Sequence, residues 1–291
     1  GTDTAPVIDT SPDVLLAHRE DAAHFAGGYA DGVAKPRSEQ DVARLLTAST
    51  RVLPVGAQSS LTGGATPEGG LVLSTVRLTG IQESGQQHVR VGAGVAIQAL
   101  QDALHLQSRW YPPSPTYTGA LAGGVVATNA AGASTFKYGT TRAWTDGLTV
   151  VLACGHVLDL TRGGTRAAAD GTFTLECPCG TRTFAHGRYT MPRVPKVSAG
   201  YFAAPEMDLI DLFIGAEGTL GVITEITFRV LPEPPAVAWV LVPVAEEARG
   251  VALVGALRTA SVGVAAIEHV DRRCLEILRE DGVDRKLDIT V

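Results

Sequence analysis

From residue 34 the apolar positions fall into alternating helical and strand periods. Ser38, with Asp41 three residues on, marks a helix start, and Val42, Leu45 and Leu46 form its apolar face. A shorter helix is expected upstream, from Pro12 to Arg19. The run Arg51-Val-Leu-Pro-Val55 reads as a buried strand, and Gly70-Leu-Val-Leu-Ser74 as another. His88-Val-Arg-Val91 alternates as a half-buried strand does. Val95 to Leu106 is helical in period, with Val95, Leu100 and Leu104 on one side. Trp110-Tyr-Pro-Pro-Ser-Pro115 predicts a rigid extended turn. Leu148–Ala153 and His156–Leu160 predict a hairpin across Cys154-Gly155. Residues 162–200 are rich in Gly, Thr, Arg and Pro and read as surface hairpin and loop. Val222 to Leu231 predicts one more strand, and Leu231-Pro-Glu-Pro-Pro235 then breaks the chain. Beyond it a strand is expected at Val237–Val242, a helix at Glu246–Thr259 and a strand at Val264–His269.

Between these elements lie three glycine-rich blocks. The first, Val55-Gly-Ala-Gln-Ser-Ser-Leu-Thr-Gly-Gly64, follows a strand and offers small residues, three hydroxyls and a row of backbone amides. That is what a loop needs to wrap a phosphate, because glycine permits close approach and consecutive N–H groups form an anion-binding nest. It is not a P-loop, since Ala65 stands where Lys would follow the last glycine. Nor does Gly92-Ala-Gly94 complete a dinucleotide fingerprint, because Ile97 occupies the third glycine's place. The second block runs from Thr118 to Gly139, and the third from Asp211 to Ile223. A core helix would be disfavoured by Gly123-Gly124 in its interior, at about 1 kcal/mol each, so close approach of a ligand to an open backbone is the expectation there. One long phosphate-bearing ligand touching several loops would account for all three blocks.

Composition narrows the classes. The chain has 291 residues, is 45% hydrophobic and carries a net charge of −6, which suits a large core and argues against a basic nucleic-acid footprint. No apolar run reaches the roughly 20 residues of a membrane span, and the first residues lack a basic-then-apolar signal, so a cytoplasmic location is expected. Cys177-Pro-Cys179 has no second cysteine pair or spaced histidines. Cys154, Cys177, Cys179 and Cys274 therefore read as free thiols, and no metal site is expected.

The three blocks, in this order, resemble the FAD-linked oxidases with a vanillyl-alcohol-oxidase-type (PCMH-type) FAD-binding domain, in the branch of glycolate oxidase and D-lactate dehydrogenase. The likeness extends over about residues 34–235, and Ala266-Ile-Glu-His-Val-Asp271 resembles the start of that branch's substrate domain. It implies an α+β fold: an approach segment (1–33), an FAD-binding domain of two α/β subdomains (34–235), and the beginning of a C-terminal substrate (cap) domain (236–291). It also implies residue roles. Pro54, Val55, Gly56, Ala57, Gln58, Ser59 and Ser60 would hold the FAD pyrophosphate. Pro113, Ser114, Thr118, Gly119, Gly123, Gly124, Thr128 and Tyr138 would carry the ribityl chain and flavin edge. Glu217, Gly221, Val222 and Ile223 would lie by the adenine, with Glu217 alternatively bracing its own loop. Val55 replaces the family's usual Arg or Tyr, and Ser114 an acidic residue. Neither the first loop nor the Thr118–Gly139 block contains a His or Cys, so the flavin is expected to be non-covalent.

The reaction implied is oxidation of a small 2-hydroxy acid by hydride transfer to FAD, with electrons passing to a quinone, a partner protein or oxygen. The alternatives are an alkylglycerone-phosphate-synthase-like flavoenzyme, or a flavin-binding subunit without chemistry of its own. No catalytic base is assigned. His269 reads more readily as a surface residue than a ligand, and so do His18, His24, His88, His105, His156 and His186. Lys137 and Lys196 read as solvated, and Tyr201 as either substrate-lining or a packed aromatic.

Overall fold

The computed structural model describes residues 6–194, 196–197 and 200–282. Two sheets organise it. The first takes four strands in the order β1-β2-β4-β3: β1 (Ile8–Asp9), β2 (Gly32–Ala34), β3 (Val52–Val55) and β4 (Leu71–Ser74). β4 runs parallel to both β2 and β3, and β1 is antiparallel to β2. The helix Glu39–Ala48 makes the crossover from β2 to β3. It starts where expected: the Ser38 side chain accepts from the Asp41 N–H at 3.1 Å, and Asp41 in turn accepts from the Arg37 N–H at 3.0 Å. Val42 and Leu45 are buried on its inner face.

Parallel neighbours need a long crossover, usually a helix. Between β3 and β4 the crossover is instead the first glycine-rich loop, residues 56–70. It therefore leaves the carboxyl end of a parallel strand, where ligands of open α/β sheets gather.

The second sheet is antiparallel and larger. Along the chain come β5 (Ile81–Glu83), β6 (His88–Gly92), β7 (Arg109–Trp110), β8 (Thr145–Val151), β9 (Val157–Thr161), β10 (Thr172–Leu175), β11 (Arg182–Ala185), β12 (Val222–Arg229) and β13 (Leu231–Pro232). Its order is β5-β6-β12-β8-β9, while β10-β11 and β13-β7 form separate pairs. β8 and β9 are the predicted hairpin, in register from Gly147↔Thr161 to Val151↔Val157. β12 sits at the centre, between β6 and β8, and its Ile226 and Phe228 are fully buried. The helix Ile97–His105 buries Ile97, Leu100 and Leu104 in the same core. The fold is α+β, with an α/β subdomain beside a larger antiparallel one.

Three local expectations are corrected. Gly123-Gly124 do lie in a helix, Ala122–Ala127. They sit in its first turn, and the helix packs so closely that a Cβ at Gly123 would come 2.7 Å from the Ala93 Cβ, while at Gly124 it would meet nothing within 4 Å. Here glycine serves close packing on one side and an open face on the other. The segments Val237–Val242 and Val264–His269 are not strands, because no described strand pairs with them. The helix after the chain break is present, as Glu247–Thr259. His88 opens β6, as its alternation predicts, but is half-buried rather than a surface residue, with its Nε2 3.0 Å from Asp146 Oδ2.

Candidate functional site

The three glycine-rich blocks converge on one cleft of about 410 Å³ between the two sheets. The first loop contributes Pro54 through Ser60 with Thr62, Gly64 and Ala65. The second block contributes Gly123, Gly124 and Thr128, and the third Glu217, Gly218, Gly221, Val222 and Ile223. Pro115 and Tyr117 add to the wall, but Pro113, Ser114, Thr118, Gly119 and Tyr138 do not line it. Tyr138 turns to the core instead, edge-on to Trp110 and Trp144. Sequence order alone could not separate these neighbours, because which of them faces the cleft depends on how this irregular segment packs.

The loops hold one another. The Glu217 N–H donates to the Ala127 carbonyl at 2.8 Å, and the Gly215 N–H to that of Val126 at 3.0 Å, so the third block is hung from the helix Ala122–Ala127. Gly218 has φ +77°, and a Cβ there would collide with the Pro54 ring. Only glycine suits both the left-handed backbone and this contact with the first loop. The Glu217 carboxylate faces Gly64: a Cβ at Gly64 would lie 3.4 Å from Oε2. Glu217 thus lines the cleft and faces the loop opposite, with no hydrogen bond to its own loop among the described contacts.

Two side chains, one inside the first block and one far upstream of it, give the first loop its shape. Gln58 takes φ +49°, and its side-chain Nε2 donates to the carbonyls of His18 at 3.1 Å and Ala65 at 2.9 Å. Asp21, 2% exposed, accepts from the Ala65 N–H at 3.1 Å, the Ala23 N–H at 3.1 Å and the Thr66 hydroxyl at 3.3 Å. The approach segment therefore clamps the loop from behind. Nothing in the sequence signals Asp21, since an acid forty residues upstream has no motif spacing.

A second network joins the second and third blocks. Asn129, buried at φ +46°, accepts the Arg142 N–H on Oδ1 at 2.9 Å. The Arg142 guanidinium donates to the Ile214 carbonyl, pairs with Asp211 at 3.1 Å and lies 4.3 Å over the Phe202 ring. Burial pulls the Arg142 pKa down from its ordinary value, and the Asp211 charge opposes that shift. Arg162 completes the arrangement, 2.8 Å from the other Asp211 oxygen.

Chemically, the cleft is lined by small, hydroxyl and apolar groups, and Glu217 is the one charged side chain among the lining residues. No Lys or Arg lines it. An anionic ligand there would rely on main-chain N–H groups and hydroxyls, and within the described residues no hydrogen bond engages the N–H groups of Ala57, Ser59 and Ser60. The Ser60 and Thr62 hydroxyls lie 2.9 Å apart at the loop's edge. These donors fit a pyrophosphate, and the open face at Gly124 fits a flat ring system. Lys137 lies 5.1 Å from the Tyr138 ring centroid, and Lys196 and His269 are exposed; none of them lines the cleft. Tyr201 bonds Thr219 Oγ1 at 2.8 Å beside the third block and does not line the cleft either.

The fold and the cleft define a nucleotide-cofactor domain, and comparison with known proteins specifies which. Residues 30–161 match the family described as FAD binding domain. The chain is 31% identical to a D-lactate dehydrogenase of Archaeoglobus fulgidus over 84% of its own length and 48% of that protein's. It is 31% identical to glycolate oxidase subunit GlcD of Bacillus subtilis, over 78% of the chain and 42% of the relative. It is 30% identical to a D-2-hydroxyglutarate dehydrogenase of Xanthomonas citri, over 70% and 37%. The chain spans about half the length of the curated relatives it matches. Among solved structures, an alkyldihydroxyacetonephosphate synthase superposes with a TM-score of 0.59 at 18% identity, over 79% of this chain and 41% of that one. That likeness shows the fold. The chain carries an FAD-binding domain of the PCMH type, and FAD is its cofactor.

Proposed function

We propose that this chain is the cofactor-holding part of an FAD-dependent oxidoreductase that oxidises a small 2-hydroxy acid of the glycolate or D-lactate type. The observation that carries the reading is the meeting of three separate glycine-rich blocks on one cleft that no cationic side chain lines. The relatives named D-lactate dehydrogenase, glycolate oxidase subunit and D-2-hydroxyglutarate dehydrogenase support the substrate class.

In this reading residues 34–235 are the FAD-binding unit, and residues 236–291 begin a substrate domain. The first loop binds the pyrophosphate through its N–H groups and the hydroxyls of Ser59, Ser60 and Thr62. Val222 and Ile223, at the start of β12, bind the adenine edge through their backbone, with Glu217 and Gly221 beside them. Gly123, Gly124 and Thr128 face the ribityl chain and flavin. When bound, the flavin supplies a hydride acceptor for the substrate α-carbon. The chain's own part is to orient it and keep water from one face. No His or Cys lines the cleft, which supports a non-covalent cofactor. Electrons would leave to a quinone or a partner protein. No helix among the described residues is long and apolar enough to cross a membrane.

The test is the visible absorption spectrum of the purified protein, followed by acid precipitation. A flavin spectrum that moves to the supernatant, and bleaches anaerobically with D-lactate or glycolate when the full-length protein is used, is the expected result. Gly218→Val should be colourless yet folded, because the first and third loops can no longer close on each other. Full flavin content in Gly218→Val would refute the assignment of the cleft.

A further inference from the structure

The cysteines, read from the sequence as four unrelated free thiols, are not dispersed. Cys154 lies at the turn between β8 and β9, and Cys177-Pro-Cys179 at the turn between β10 and β11. Folding brings these two turns together. Cys154 Sγ is 3.4 Å from Cys177 Sγ, Cys177 Sγ is 2.8 Å from Cys179 Sγ, and all three sulfurs lie within 4.8 Å of one another. Cys154 and Cys179 are exposed and Cys177 is half-buried. None of them lines the FAD cleft.

We propose that Cys154, Cys177 and Cys179 form a thiolate site for a thiophilic d10 cation such as Zn²⁺, which ties the β10–β11 hairpin to the end of the main sheet.

Geometry favours a metal over chance proximity. Zn–S bonds of about 2.3 Å in a tetrahedron place sulfurs about 3.8 Å apart. Two of the observed separations, 3.4 and 2.8 Å, are shorter than that and the third is no more than 4.8 Å, so each side chain needs to move by only about an ångström. Both turns are held in shape independently of any ion. The Gly155 N–H donates to the Leu152 carbonyl at 2.8 Å, and the Gly180 N–H to that of Cys177 at 2.8 Å, with both glycines at positive φ. Pro178 fixes the backbone between the two ligands of the second turn. A Cys–x–Cys pair from one hairpin and a third Cys from another give three ligands on preformed turns. The fourth position opens to solvent, because two of the three cysteines are exposed. Three soft thiolates without carboxylates select zinc or Cu(I) over Mg²⁺ or Ca²⁺. The spacing rule that excluded a metal from the sequence looks for a second pair, and here one cysteine from a distant turn takes that place.

The test is zinc titration of the reduced, chelator-treated protein against a chromophoric chelator, with Co²⁺ as a spectroscopic stand-in. One equivalent should bind and give the thiolate-to-cobalt charge-transfer band. Cys154→Ser, Cys177→Ser and Cys179→Ser should each weaken binding by at least about 10-fold, the size of effect that even outer-shell changes produce. Cys274→Ser, at an exposed thiol outside the cluster, should bind as the parent does. Zinc should also raise the melting temperature of the parent and not that of the three variants, which separates loss of the site from loss of the fold. Absence of stoichiometric zinc binding would overturn the proposal. So would a disulfide between two of the three cysteines in protein purified without reductant and kept through zinc exposure, or equal loss in Cys274→Ser.

Discussion

Asp21 shows how much a single buried carboxylate contributes when it serves the backbone. It satisfies the N–H groups of Ala23 and Ala65 and the Thr66 hydroxyl, and so fixes both ends of the contact between the approach segment and the first glycine loop. Asp21→Ala would leave these half-buried donors without an acceptor. A cost of about 1–3 kcal/mol is expected, because an orphaned polar group loses its partner without regaining water. The loop would loosen at the same time, so FAD affinity should fall together with stability. Urea unfolding and flavin-fluorescence titration of the variant measure both. Unchanged affinity would mean that the loop holds its shape without this clamp.

At the scale of elements, two contacts join parts of the chain that the sequence leaves unconnected. Arg142 ties the end of the second block to the Ile210–Phe213 helix and its following turn, through Asp211 and Ile214, and its guanidinium lies over the Phe202 ring. Arg142→Met keeps the apolar stem and removes the charge. It should cost about 3 kcal/mol, since breaking one side of a largely buried pair strands the other, with Arg162 left to offset part of the loss. Thermal unfolding of Arg142→Met beside Arg142→Lys checks it, and a shift confined to the surface-pair range would show that Arg162 alone suffices. The second contact is His105 with Glu233, Nδ1 to Oε1 at 2.6 Å, which ties the end of the Ile97–His105 helix to the chain just after β13. The Glu233 hydrogen bond raises the His105 pKa above its ordinary 6.5. A group whose folded pKa is raised stabilises the fold fully below its unfolded value. That contribution fades as pH rises through the raised folded value, so the sensitive window opens upward from about 6.5. An NMR titration of the His105 ring should show the raised midpoint, and Glu233→Gln should return it to ordinary.

At the scale of the whole molecule, the chain divides by burial. Residues 32–232 carry the two core clusters, whereas Val237, Trp239, Val240 and Leu241 stand 68%, 87%, 81% and 68% exposed, and no residue of the Glu247–Thr259 helix is buried. The Leu231-Pro-Glu-Pro-Pro235 break falls at this change, just after β13 has paired with β7. Local stability should follow burial. Amides of residues 236–246 should exchange with solvent far faster than those of β12. Acrylamide should quench Trp239 readily and Trp144, only 9% exposed, hardly at all. Single-tryptophan variants resolve the two, and equal quenching would show that residues 236–246 are covered in solution.

Periodicity and turn chemistry determined most of the elements: the Ser38-capped helix, the strands on either side of the first loop, the β8–β9 hairpin and the order of the three glycine blocks. These are local, because a cap, a turn or an alternating strand depends on neighbours a few residues away. The failures are the places where a distant partner decides. Val237–Val242 alternates like a strand, but a strand exists only when a ladder partner is present, and none pairs with it among the described residues. Gly123-Gly124 look hostile to a helix until Ala93 is placed against them. Asp21 and Arg142 carry no motif, because their partners lie far along the chain and meet them only after the sheets have formed. The cysteines say this most plainly. Spacing along the chain separates Cys154 from Cys177, and only the packing of two hairpin turns puts their sulfurs 3.4 Å apart.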